Sequence, residues 1–125
     1  VTFAPLQLGK NYVSGNLNVK CNASYEVDVV DKNPLTAWHM TEWTGAAYKA
    51  GGYRLHNPLQ VISAQNDVTA GTPATLVVGT LSGQTPDSGQ NFNLTYEQTL
   101  RNTDAALPIG ETYHLVLTYV AYITV

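Results

Sequence analysis

Apolar residues recur at every second position through much of this chain. In "YVSGNLNVKCN", Val13, Leu17, Val19 and Cys21 fall on one face, and Ser14, Asn16, Asn18, Lys20 and Asn22 fall on the other. "SYEVDVVD" repeats the pattern, with Tyr25, Val27 and Val29 set against Glu26 and Asp28. "NFNLTYEQTLR" does so again: Phe92, Leu94, Tyr96 and Leu100 point inward, and Asn93, Thr95, Glu97, Thr99 and Arg101 outward. A period of two is that of a half-buried β-strand. No window keeps an i, i+3, i+4, i+7 apolar pattern over several turns, so the pattern predicts no amphipathic helix.

Other stretches complete the plan. In the opening "VTFAPLQLG", Val1 and Phe3 share a face, Pro5 marks an edge or kink because it cannot donate to a ladder, and Leu6 and Leu8 restart the alternation out of phase. "DKNP" at 31–34 and "AGTP" at 70–73 carry turn chemistry. Residues 35–52 are the least regular part. A strand from Tyr53 to Ile62 is interrupted at Asn57-Pro58, and "ATLVVGTL", apolar on both sides, suits a central strand. "SGQTPDSGQ" reads as a loop. With seven or eight strands, no internal repeat and no linker, the chain reads as all-β. The expected architecture is a single immunoglobulin-like or jelly-roll β-sandwich over residues 1–125.

The final run, "ETYHLVLTYVAYITV", breaks the alternation rule in an informative way. Tyr113, Leu115, Leu117, Tyr119, Ala121, Ile123 and Val125 alternate, but His114, Val116, Val120 and Tyr122 interrupt the face that should be polar. It is longer than a usual strand of about five or six residues. It carries no Lys, Pro or internal Gly, the devices that blunt an exposed strand edge. Two readings follow. Either it is a central strand of its own sandwich, or it contacts a neighbouring copy through Val116, Val120 and Tyr122. The opening segment, residues 1–9, is the second candidate for a shared or donated strand, with Val1, Phe3, Leu6 and Leu8 as pocket-filling side chains. Burying each such side chain is worth ~1.5–3 kcal/mol.

Composition narrows the function classes. Charged residues make up 12% of the chain, about half the usual ~25%. The polar load rests instead on 15 Thr, 10 Asn and 6 Gln. The net charge of −3 is spread thinly with no Lys/Arg cluster, which argues against nucleic acid and anionic membrane as partners. It also leaves little repulsion between copies. No apolar stretch is long enough for a membrane span. The chain begins at Val1 rather than Met, which reads as a processed chain whose targeting segment has been removed. Asn22-Ala-Ser24 and Asn93-Leu-Thr95 are N-glycosylation acceptors, each on the outward phase of its strand. They point to an extracellular or cell-surface location with covalent glycans. The lone Cys21 shares an inward face and reads as a small buried hydrophobe.

Candidate chemistry is thin. His39, His56 and His114 are scattered, and no G-x-S-x-G turn occurs. His39-Met40, His56 and Cys21 are copper-type ligands, but Cys21 comes early and has no His nearby. Asp28, Asp31 and Asn33 lack the spacing of a calcium loop and read as strand-end and turn residues. No catalytic residue, cofactor or metal is assigned. Trp38, Trp43, Tyr48 and Tyr53 lie together in the irregular segment. Exposed aromatics of this kind stack on sugar rings or anchor a partner protein. The bland alternative is that one Trp fills the core and the others cap an open end.

At "GNLNVKCNASYEVDVVD" the chain resembles secreted pilin-like and spore-coat-like β-sandwich subunits. There, a G-x-L-x-V-x-C/S-N strand is followed by Y-x-V-x-V after a tight turn. "FAPLQLG" and "GETYHLVLTYVAYITV" match the opening and closing strands of that pattern, and "LHNPLQV" is similar to β-sandwich domains of methanogenic archaeal envelopes. The chain departs from chaperone-usher pilins in lacking a second cysteine for their disulfide. The resemblance implies a pilus, sheath or surface-layer subunit that lends an edge strand to a neighbour. The expected function is therefore extracellular, structural and non-enzymatic: a homopolymer of identical subunits. The alternative is a monomeric adhesive or carbohydrate-binding module that uses Trp38–Tyr53.

Overall fold

The computed structural model describes residues 6–21, 23–69, 75–79 and 89–124. Two long strands carry the strictest alternation and pair with each other. β1 (Gly9–Val19) runs antiparallel to β7 (Gln90–Leu100) in unbroken register from Gly9 opposite Leu100 to Val19 opposite Gln90. Matching alternation on both sides lets this happen: any one-residue slip would turn Phe92, Leu94 and Tyr96 to solvent. Gly15 is required where it stands. A Cβ there would lie 2.6 Å from the Tyr96 ring, which folds across the glycine.

β4 (Gln60–Ile62) pairs with the other side of β7, and β5 (Asp67–Val68) pairs with β4, giving the order β1-β7-β4-β5. A second sheet has the order β6-β2-β9, from β6 (Thr75–Gly79), β2 (Tyr25–Val30) and β9 (Thr118–Ile123). Tyr25, Val27 and Val29 of β2 are buried against Val61, Val68, Phe92, Leu94 and Tyr96 of the first sheet. A two-stranded piece, β3 (Thr41–Trp43) with β8 (Thr112–His114), completes the described strands. The protein is all-β and sandwich-like. Every strand pairing is antiparallel, and no helix occurs among the described residues.

Three expectations need correction, the simplest being the strand read from Tyr53 to Ile62, which is confined to Gln60–Ile62 with one isolated bridge at Arg54. The run Glu111–Val125 is not one strand. β8 pairs with β3 and β9 pairs with β2, and the chain leaves strand geometry at Leu115–Leu117 between them. Leu115 and Leu117 turn in to pack on the core while Val116 between them is 59% exposed. The double-sided apolar pattern is thus the mark of a chain crossing from one sheet to another. This split, with the short β3 and β5, is why nine strands are described where seven or eight are expected. The third correction concerns "ATLVVGTL": its described part, β6, lies beside central β2 rather than at the centre. Its apolar run has another cause. The register shifts between Val27 and Asp28, so that Val27 faces Val77 and Asp28 faces Thr75. The bulge leaves Leu76 unpaired and lets Leu76 and Val77 both be buried.

The free side of β6 is occupied by side chains. The Gln65 amide accepts from the Val78 N–H at 2.8 Å and donates to the Val78 carbonyl at 3.0 Å, as a neighbouring strand would. Ser63 Oγ and Asn66 Nδ2 donate to the Leu76 carbonyl at 2.9 and 3.2 Å. The β4–β5 turn therefore ties the two sheets together at this border.

The irregular segment after β2 is organised by Asp31. Its carboxylate accepts from the Asn33 N–H at 3.0 Å, the Trp38 N–H at 2.7 Å and the Thr36 hydroxyl at 2.5 Å. These bonds hold Ala37 and Trp38 at φ of 44° and 73°, a region costly for residues other than Gly.

Candidate functional site

The outer faces of the two sheets differ in character. On the first sheet, Ser14, Asn16 and Asn18 stand opposite Thr95, Asn93 and Asn91, with an Asn18–Asn91 side-chain bond of 2.8 Å. Asn93 is exposed in the middle of this polar face. Asn22, the other acceptor, lies outside the described residues. On the second sheet, Glu26 of β2 lies between Val78 and Tyr122, and Asp28 lies opposite Val120. Val78 and Tyr122 are each half exposed. Val120 and Tyr122, two of the assembly residues expected in the final run, share one face of β9, and the third, Val116, lies outside it in the crossing segment. The neighbouring Asp28 carboxyl first, then burial and the Asp28 charge, hold Glu26 above its ordinary range.

β9 has β2 on one side and no strand on the other among the described residues. The Thr124 N–H donates to the Ser24 carbonyl at 2.8 Å. By strand alternation the backbone groups of Tyr122 and Val120 also face β2, so those of Tyr119, Ala121 and Ile123 face outward. The side chains of these three share the inner face with Tyr25, Val27 and Val29. Tyr119 packs on the core, but Ala121 is exposed and Ile123 is 64% exposed. The end of β9 thus presents apolar groups on both faces and a backbone edge that no described residue pairs.

The opening segment is described only in part. Leu6 lines a cavity of about 570 Å³ with Met40, Leu100 and Leu107, while Leu8 is exposed. Val1 and Phe3 lie outside the described residues.

The four expected aromatics separate. Trp38 packs on the main core, and its carbonyl accepts from the Leu59 N–H at 2.8 Å. Tyr53 is exposed. Trp43 and Tyr48 do meet, edge to face at 4.9 Å between centroids, and His114 of β8 stacks on Trp43 at 4.4 Å and 21°. Burial and the Asp31 charge push the Tyr48 phenol above its ordinary range.

Beneath this cluster lies a group that sequence reasoning missed. Glu42, between Trp43 and Thr41, is 1% exposed. Its carboxylate accepts from the Tyr53 N–H at 3.0 Å and from Lys49 Nζ at 3.3 Å, and Lys49 also reaches Glu111 at 3.7 Å. The only local sign was a Glu set between Met40 and Trp43 in an uncharged stretch. Its partner, 69 positions along by residue number (111 − 42), has no local sign at all.

The candidate metal ligands are engaged separately. His39 Nδ1 bonds the Leu55 carbonyl at 2.8 Å, His56 pairs with Asp104, and Met40 is buried. Burial pushes the Asp104 carboxyl up, but the N–H groups of Arg101 and His56 and the His56 ring outweigh it and hold the group below its usual range. No group of three or more His, Cys, Asp or Glu residues suited to a metal occurs among the described residues. No helix among them is long and apolar enough to cross a membrane.

No family model, curated protein or solved structure matches this chain.

Proposed function

We propose that this chain is an extracellular structural subunit that associates with identical copies through β-strand pairing, in a pilus, sheath or surface layer. One observation supports this reading above the others: among the described residues, β9 offers an edge with no strand beside it, flanked by apolar side chains on both faces. An edge of this kind is a template for another strand. β6, by contrast, has its border capped by Gln65.

The chemistry of the faces favours β9 of a second copy as the partner. An antiparallel pairing centred on Ala121 would place Tyr119 opposite Ile123 and Val120 opposite Tyr122. A two-fold axis normal to the sheet keeps apolar outer face beside apolar outer face. Pairing with β1 would instead set Val120 and Tyr122 beside the Asn16 and Asn18 face. The polar first sheet, with Asn93 exposed on it, is left free for glycans and water.

The test is the association state. Sedimentation of concentrated protein should show the two-fold dimer, with longer assemblies in electron microscopy built by a second contact between dimers, and Ala121→Pro, which removes an outward N–H, should return monomers. A protein that stays monomeric at high concentration overturns the reading.

A second reading is a glycan-binding module using Trp43 and Tyr48 with Tyr53. The contact of Trp43 with Tyr48 and His114 favours it. Retention on a polysaccharide column that is lost in Trp43→Ala, with association unchanged, would select it.

A further inference from the structure

We propose that Glu42 and Glu111, holding one proton between them over the Lys49 ammonium, form a pH-sensitive latch that ties β8 to β3 and the turn at 44–49. The inference stands whether or not copies associate, because it rests on contacts within one chain.

The geometry is that of a charge imbalance under cover. Glu42 Oε1 and Oε2 are satisfied by the Tyr53 N–H and by Lys49. Glu111, directly before β8, offers Oε1 to the same ammonium, but its Oε2 is buried with no N–H or O–H donor in reach. Two carboxylates, one buried and one mostly so, share a single half-exposed ammonium, which leaves a net negative charge on the pair. A single shared proton makes the cluster neutral and gives Glu111 Oε2 a role, as donor to Glu42 or acceptor from it.

The surroundings are otherwise poor in compensating charge. Tyr113, opposite Glu42 in the β3–β8 pair, faces the site, while Tyr48, its hydroxyl buried and without a partner, lies on the other side of β3 with Trp43. Asp31 acts on Tyr48 and Asp104 on Tyr113, both adding negative charge. His114 lies beyond them, stacked on Trp43. Lys49 is therefore the cation that holds the pair among the described residues, and its own ionisation is pushed up by the bond it donates to Glu42 and by the Glu111 charge.

The two carboxyls are driven apart in titration. The bond from Glu111 and the Tyr53 N–H outweigh burial and hold Glu42 below its ordinary range, with Lys49 adding to the effect. The bond to Glu42, burial and the Glu42 charge outweigh Lys49 and hold Glu111 above its range. The signs then follow. The raised Glu111 contributes stability that is fully present below its unfolded value and is lost as pH rises through its folded value. The lowered Glu42 contributes stability present above its unfolded value and lost as pH falls through its folded value. The latch is closed in the mildly acidic interval between.

Hydrogen exchange at the β8 amides of Thr112–His114, corrected for intrinsic rates, reads the latch across about pH 3 to about pH 9. The rates should pass through a minimum and rise on both sides, with a limiting slope of about tenfold per pH unit where one carboxyl controls the opening. Glu111→Gln should remove the alkaline arm and Glu42→Gln the acid arm. His114→Gln should leave both arms, which separates the pair from the imidazole. Carbon-13 titration of the unmodified protein gives a readout that needs no variant to fold. A Glu111 midpoint at or below its ordinary value, or an alkaline arm that survives in Glu111→Gln, overturns the proposal.

Discussion

The hydroxyls of Tyr96 and Tyr119 meet at 2.5 Å, joining β7 of one sheet to β9 of the other through a polar contact inside an apolar interface. Burial first, and then the bond and charge of Tyr96, push the Tyr119 phenol well above its ordinary range. Its neutral form is therefore favoured in the folded state. The stability this supplies is present below the unfolded phenol value near 10 and is lost as pH rises from there toward the folded value.

Tyr119→Phe should cost about 1–3 kcal/mol, since it leaves the Tyr96 hydroxyl without its partner. Replacing both by Phe should cost less than the sum of the single changes, because no orphaned hydroxyl remains. Denaturant unfolding of the three variants measures this, and the alkaline loss of stability should weaken in each.

Gly15→Ala should destabilise by about 1–3 kcal/mol. The new methyl would meet the Tyr96 ring, and that ring cannot swing away without losing Tyr119. Thermal unfolding provides the check, with Gly45→Ala as a contrast. Nothing lies near a Cβ at Gly45, so its cost should come from its φ of 99° alone.

Asp31→Ala should cost about 2 kcal/mol or more, because three donors lose a charged acceptor at once. Trp38 would then lose the bond that offsets its positive φ. A red shift of tryptophan emission should accompany the loss, as Trp38 leaves the core.

Ile123→Lys should weaken association at least about tenfold, the equivalent of about 1.4 kcal/mol. Ile123 is exposed in the single chain, so monomer stability should change little. Sedimentation equilibrium against denaturant unfolding separates the two effects. Equal association by variant and parent would count against β9 as the contact.

The strands legible from the chain were those whose two faces differ. β1, β2 and β7 alternate cleanly, and each folds with the apolar set inward. The carboxylate under the aromatic cluster was not legible. Glu42 needs Tyr53 and Lys49 from one side and Glu111 from the other, and no local period marks that convergence. The aromatic segment misled in the same way. Trp38 and Trp43 are five positions apart by number, yet Asp31 turns the chain so that the first packs on the main core and the second on His114.

Period and turn chemistry were enough to settle the all-β class and the inward set of the long strands, since side-chain direction along a strand is a local consequence of backbone geometry. Which strands became neighbours was a different matter. "ETYHLVLTYVAYITV" read as one strand because each half is a good strand. It became two because β3 and β2 lie in separate sheets, and Leu115 and Leu117 gain burial as the chain crosses between them. Pairing partners are chosen by the sum of contacts across the molecule, and that sum has no signature within any one stretch of residues.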